Sequence, residues 1–238
     1  MPTAITVSTQ RGITGNMLKL IAAVSMLIDH MGVIFFPQSA IFRVIGRLAF
    51  PIFAFMIAEG CFYTKNRLRY FLGIFLLGAG CQLVYFFVSG DTYLNILLTF
   101  SCAIPIIYLL QEWKSRKNHW LLPVVAVAVG AAYVLNRKVE LDYGFWGMMV
   151  PVFTALAYPG RGEKLEKRHH LLRVFLLAFA LLPSCLAYPQ IRFYSYCAVL
   201  LLLFYSGKRG KGNFKYAFYL FYPLHLALLQ GIAWLLTM

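Results

Sequence analysis

Two adjacent residues with acid–base chemistry, Asp29 and His30, lie within MLKLIAAVSMLIDHMGVIFF, a run that is otherwise almost wholly apolar. A charge at mid-bilayer costs about 2.5–3.5 kcal/mol on insertion scales, so one that persists faces protein or a water-filled cavity. Histidine exchanges a proton near neutral pH, which suits His30 to work as a general base or proton carrier; a helix-packing hydrogen bond is the plainer alternative. In FRVIGRLAFPIFAFMIAEG, Arg43 and Arg47 are four apart and share a helix face. Arg43 could snorkel to the surface, whereas Arg47, a turn deeper, calls for a partner such as Asp29 or an anionic ligand. Pro51 removes a backbone hydrogen bond and is expected to kink this span. Glu59 either pairs with Lys65 or Arg67 or faces a cavity.

Further polar residues lie in later spans. Asn95 and Thr99 fall on one face, and Asn in a span commonly bonds another helix. Asp142 and Tyr143 lie at a helix mouth, where Asp also makes an ordinary cap. His225 and Tyr222 share a face of the span KYAFYLFYPLHLALLQ, with Pro223 between them. His169 and His170 read as solvated residues of a basic loop. There is no GxGxxG, Walker loop, HExxH or G-x-S-x-G, so dinucleotide, nucleotide-triphosphate, zincin and hydrolase chemistries lack their signals. No metal site is expected.

The elements that must position these groups follow from composition. The 238 residues are 61% hydrophobic and only 13% charged, with a mean hydropathy of +0.72. This predicts an all-α polytopic membrane helix bundle, one domain over 1–238. Apolar windows suggest about nine transmembrane helices near 17–36, 41–63, 70–89, 93–111, 119–136, 143–158, 170–188, 192–206 and 214–237. The excess of 22 Lys+Arg over 8 Asp+Glu sits largely between these windows and reads as orientation rather than nucleic-acid binding. Loops 64–69, 114–119, 161–170 and 207–215 are basic, and they alternate with 37–40, 89–92 and 137–142, which are neutral or acidic; 188–192 is the weak outer loop because of Arg192. The positive-inside rule then places the N-terminus in the cytoplasm and the C-terminus outside. The first span follows no signal-like region and is expected to stay in the mature protein. The five cysteines form no CxxC pair and read as small packing residues.

LKLIAAVSMLIDHMG, FRVIGRLAFPIFAFMIAEG, LNILLTF, LDYGFWG and FYPLHL occur in the order seen in the TraX family, and the chain resembles that family across nearly its whole length. TraX proteins of conjugative plasmids acetylate the amino terminus of pilin, and the family is related to wider transmembrane acyltransferases. The resemblance implies a multi-pass enzyme of the bacterial cytoplasmic (inner) membrane. It would move an acetyl or acyl group from acetyl-CoA (acyl-CoA), its co-substrate, to an amine or hydroxyl acceptor such as a pilin-like amino terminus or an amino sugar. The family's DH pair falls on Asp29 and His30, its paired arginines on Arg43 and Arg47, its intramembrane glutamate on Glu59 and its terminal histidine on His225.

In the scheme these readings suggest, inner-loop cations, Lys65 and Arg67 among them, attract the phosphates of acyl-CoA. His30 is the catalytic base and Asp29 fixes a tautomer or pairs with Arg47 or His225. Arg47, with Arg43, binds an oxyanion or an acidic part of the ligand. Glu59, Asn95, Asp142, Tyr143, Tyr222 and His225 are the candidate substrate-binding residues. The alternatives are a proton-coupled transporter, against which the odd helix count and missing repeat weigh, and a non-enzymatic assembly partner of a secretion or conjugation system.

Overall fold

In the computed structural model, residues 12–90, 92–160, 163, 165–212 and 214–236 are described. Asp91, Arg161, Lys164 and the N-terminal residues before 12, on which part of the loop-charge and signal reading falls, lie outside them. The chain forms α1 (Gly15–Phe35), α2 (Ala40–Gly46), α3 (Ala49–Tyr63), α4 (Arg67–Ser89), α5 (Ile96–Arg116), α6 (Leu121–Lys138), α7 (Gly144–Leu156), α8 (Lys167–Ala187), α9 (Pro189–Arg192), a 3-10 turn (Phe193–Ser195), α10 (Tyr196–Leu203) and α11 (Lys215–Leu236). No strand occurs among the described residues beyond two isolated bridges, Ile13 with Tyr205 and Leu94 with Leu141.

Among the described residues, seven helical segments are long and apolar enough to cross a bilayer, and this is a membrane protein. Gly144–Leu156 and Pro189–Leu203 are apolar but shorter. Both short segments nevertheless run between the same two ends of the bundle as the long ones. α7 begins beside Tyr143, which bonds Arg47, and ends before Tyr158, which bonds Arg173. α9 begins the return from Tyr188 and Arg192, over the ring of Tyr143, and α10 ends before Tyr205, beside Glu59. Among the described residues, the nine apolar windows of the sequence therefore correspond to seven spanning-length segments and two shorter apolar ones, and Pro189–Arg192 is a short helix rather than an open loop.

The first and last described helices are parallel. Asn16 Nδ2 donates to the Lys211 carbonyl, and His30 meets His225, both at a separation of 195 residues. The start of α1 is thus bonded to the segment that precedes α11, and His30 deeper in α1 meets His225 deeper in α11, so the two helices lie side by side and run the same way. The centre of the bundle is formed where α3, α5, α7 and α8 bury Ile52, Phe55, Ile104, Ile107, Met148 and Leu177.

The span holding both arginines is broken rather than merely kinked. α2 stops at Gly46, Arg47 and Leu48 form a turn, and α3 restarts at Ala49. Pro51 explains the position: its ring nitrogen cannot donate to the Arg47 carbonyl, so it sits in the first turn of a new helix, where no such bond is required. Two glycines let α2 lie close against α1. A Cβ on Gly32 would fall 2.3 Å from Phe42 Cβ, and one on Gly46 would fall 2.1 Å from Asp29 Oδ1.

Candidate functional site

Asp29 and His30 occupy neighbouring positions on α1 and serve different partners. Asp29 takes both arginines: Arg43 Nη1 lies 2.8 Å from Oδ2 and Arg47 Nη2 lies 2.9 Å from Oδ1. The two carboxylate oxygens are thereby each occupied, and one positive charge is left over. The arginines are unequal. Arg47 is 9% exposed and fully engaged, with Nε donating to the Arg43 carbonyl at 3.1 Å and Nη1 to the Tyr143 hydroxyl at 2.9 Å. Arg43 is 35% exposed, and Asp29 is its side chain's one hydrogen-bond partner among the described residues. Sequence reasoning assigned Arg47 a partner such as Asp29 or an anionic ligand and allowed Arg43 to snorkel; Arg47 has Asp29 as its partner, and the donors left for a ligand are on Arg43. Arg47 organises the site, and Arg43 has N–H groups to offer.

His30 turns to α11. Its Nδ1 lies 2.9 Å from the Met26 carbonyl oxygen and 3.2 Å from His225 Nε2, while His225 Nδ1 lies 2.8 Å from the Phe221 carbonyl oxygen. A carbonyl oxygen only accepts, so in the neutral pair each Nδ1 carries the proton. His225 Nε2 then presents a lone pair to the His30 Nδ1–H, and the lone pair on His30 Nε2 is left over. That nitrogen makes no hydrogen bond among the described residues, and His30 as a whole is half-buried. His225 is buried, stacked on Phe221 with centroids 4.8 Å apart and edge-on to Tyr222 at 5.7 Å. The group that orients His30 is thus His225, and Asp29 is committed to the arginines.

Around this layer, Tyr143 is held in the left-handed region at φ 58° and stacks on Phe50 at 3.9 Å. Asp142 makes no helix cap. Its Oδ1 accepts from the Tyr93 hydroxyl at 3.3 Å, and α7 starts at Tyr143 without a side-chain cap. Burial pushes the Asp142 carboxyl up to about 6, although Arg47 pulls it back. Arg192 lies over Tyr143 at 5.0 Å.

Several predicted ligand-binding residues stand elsewhere. Asn95 is not inside a span: it is the N-cap of α5, accepting from Leu97 N and Leu98 N, and its amide also donates to the Gly78 carbonyl of α4. All of this is structural work. Thr99 bonds the Asp142 carbonyl. Arg67 is held by Glu112 and Gln111 at the opposite end of the bundle, where Lys65 is exposed.

Glu59 belongs to that opposite end too, about 15 Å along α3 from its first turn. It pairs with neither Lys65 nor Arg67. Oε2 accepts from Tyr205 at 2.8 Å, and Oε1 stands 3.6 Å from Arg173 Nη1 without a hydrogen bond. Arg173, 2% exposed, also donates to the Tyr158 hydroxyl at 2.8 Å and lies over the Phe55 and Tyr158 rings. His170 is half-buried, approaching Arg173 at 3.4 Å and packing edge-on to Phe55. Sequence reasoning passed over Arg173. Its one signal was an arginine inside LLRVFLLAFALL, past the basic loop that disguised it.

Two recesses accompany these layers. One of about 750 Å³ lies between α4 and α5, lined by Phe75, Phe86, Leu98 and Pro105. The other, about 500 Å³, lies among Lys114, Lys117, His119 and Tyr158. Neither contains Asp29 or His30. Among the described residues no three His, Cys, Asp or Glu side chains converge to hold a metal ion.

The chain is similar to a probable fimbrial assembly protein, FimC of serogroup H1, from Dichelobacter nodosus, at 29% identity over 241 residues covering 89% of this chain and 92% of that protein. An uncharacterized protein of Rickettsia prowazekii is 41% identical over 54 residues, 23% of this chain and 21% of that one. No solved structure matches. The family described as TraX protein matches residues 14–233, a stretch that begins at the cap of α1 and takes in both histidines of the pair. The chain belongs to the TraX family.

Proposed function

We propose that this protein is an acyltransferase of the bacterial cytoplasmic membrane, moving an acetyl or acyl group from cytoplasmic acyl-CoA to an amine or hydroxyl at the outer side. The observation that carries the reading is the His30–His225 pair, which leaves one imidazole nitrogen basic and unbonded among the described residues, beside a cluster with a surplus positive charge. The alternation of basic and neutral loops supports a cytoplasmic N-terminus, with the Asp29 layer toward the outer face.

In the reaction, the acceptor nitrogen or oxygen attacks the thioester carbonyl while His30 Nε2 takes its proton. The imidazolium so formed is steadied by the Nδ1–H donating to His225 Nε2, a bond that strengthens as charge develops. Arg43 supplies N–H donors to the oxyanion, and Asp29 and Arg47 hold Arg43 in place. The carbon–sulfur bond then breaks, and the leaving thiolate recovers the proton from His30. A well-placed base contributes about 10²–10⁴ in rate.

The relative's description as a fimbrial assembly protein supports a pilin-like subunit as acceptor, and equally a non-enzymatic role in assembly. Proteoliposomes given labelled acetyl-CoA and a peptide with a free amino terminus distinguish these. Label should pass to the peptide with the wild type and not with His30→Ala of unchanged size-exclusion profile. A peptide moved across unlabelled would instead indicate transport, and neither outcome would favour assembly. Undiminished transfer by His30→Ala would remove His30 from the mechanism.

A further inference from the structure

Lys19 stands on α1 eleven residues before His30. At 100° per residue the two lie within about 20° of one another, so they share one stripe of the helix about 16 Å apart. Lys19 is half-buried, and among the described residues it makes no hydrogen bond or ion pair; Glu59 and Arg209 are its charged neighbours. The neighbouring Glu59 carboxylate is engaged by Tyr205 and Arg173, so the Lys19 ammonium keeps donors to offer an anion. Just beyond it lies SGKRGKG, a basic segment in which Gly207, Gly210 and Gly212 all have positive φ. This segment is fastened to the start of α1: Gly15 N and Asn16 N donate to the Lys208 and Arg209 carbonyls, and Asn16 Nδ2 to that of Lys211. Those carbonyls are spent on the helix start, while the Lys208 and Lys211 side chains remain exposed.

Resting on the acyltransferase reading, we infer that Lys19 binds the pyrophosphate of the acyl-CoA donor, with Lys208 and Lys211 receiving its outer phosphate. The distances agree. Between the sulfur and the first phosphorus of coenzyme A run roughly 13 bonds, which at the reach of an extended chain span about 16 Å. α1 therefore works as a ruler: a phosphate on Lys19 sets the thioester at His30. α11 packs chiefly on α1, and Tyr222 and Leu226 bury Met26 between the two marks, so the pantetheine arm would follow the seam between the two helices.

The bland source of such a phosphate is a lipid headgroup, and the experiment separates the two. Wild type and Lys19→Gln are placed in nanodiscs of zwitterionic lipid, and binding of coenzyme A and of pantetheine, which lacks the phosphates, is measured by calorimetry. Lys19→Gln should weaken coenzyme A roughly 10- to 100-fold and leave pantetheine unchanged, with Lys19→Arg retaining most of the affinity. Even without a variant, wild type should bind coenzyme A far more tightly than pantetheine. Equal coenzyme A affinity in wild type and Lys19→Gln overturns the inference while leaving acyl transfer standing. Loss of retained phosphatidylglycerol by Lys19→Gln at unchanged coenzyme A affinity overturns it in favour of a lipid contact. A wild type that binds no coenzyme A ends the donor reading and this inference together.

Discussion

His30 and His225 meet at 3.2 Å, Nδ1 to Nε2, and each is tied by its own Nδ1 to a carbonyl one turn earlier on its helix. The pair is directional: His225 accepts and His30 donates, so a second proton is taken up at His30 Nε2. Replacing His225 by Ala should lower kcat about 10- to 100-fold with little change in KM, as expected of a residue that acts by orienting His30. His225→Gln, whose amide oxygen accepts from the same Nδ1–H, should recover part of the rate. Equal turnover in His225→Ala and wild type would show that the pair has no part in the chemistry.

Gly46 is where α2 rests on the Asp29 carboxylate. A methyl group there overlaps Oδ1, Cβ and Cγ of Asp29. Gly46→Ala should cost about 1–3 kcal/mol in overpacking and pull the arginines from their carboxylate. A lowered unfolding temperature in detergent, together with reduced acyl transfer, is the expected result.

Glu59 and Arg173 form a buried pair whose halves are better removed together than singly. Arg173→Met leaves the carboxylate without its cation and should destabilise by about 3–5 kcal/mol. Adding Glu59→Gln, which keeps an acceptor for Tyr205, should restore most of that loss. Chemical denaturation of the two single variants and the double variant measures the coupling, and simple additivity would argue against the pairing.

Asp142 gives a pH signature. Its carboxyl is raised from 3.8 to about 6 by burial, with Arg47 opposing. The folded state therefore binds more protons than the unfolded one between about pH 4 and 6, and stability should fall as pH rises through that window and then level off. Asp142→Asn should flatten this dependence and be more stable than wild type at pH 8, with its amide oxygen still accepting from Tyr93. Melting curves from pH 4 to 8 provide the check.

Much of this arrangement was legible because a bilayer penalises polar residues severely. The nine apolar windows, the alternating loops, and the matching of Arg47 to Asp29 follow from that penalty. What escaped notice depends on distances that sequence does not carry. Arg173 resembled a trailing residue of a basic loop, and only packing brings Tyr158 and Glu59 around it. The same packing assigns Arg67 to Glu112 rather than to Glu59. Asn95 makes the bond to another helix that its type suggested, to the Gly78 carbonyl of α4, and that bond with the first amides of α5 occupies the side chain named as a substrate-binding candidate.

The pairing of α1 with α11 also governs when the site is complete. During synthesis, α1 enters the bilayer carrying a histidine whose partner is still 195 residues from leaving the ribosome. Until α11 has inserted, the imidazole at position 30 has no mate to set its proton, so a nascent or prematurely stopped chain holds the base without its orientation. On the acyltransferase reading, the pair that orients the base is complete only in chains whose assembly has run through α11.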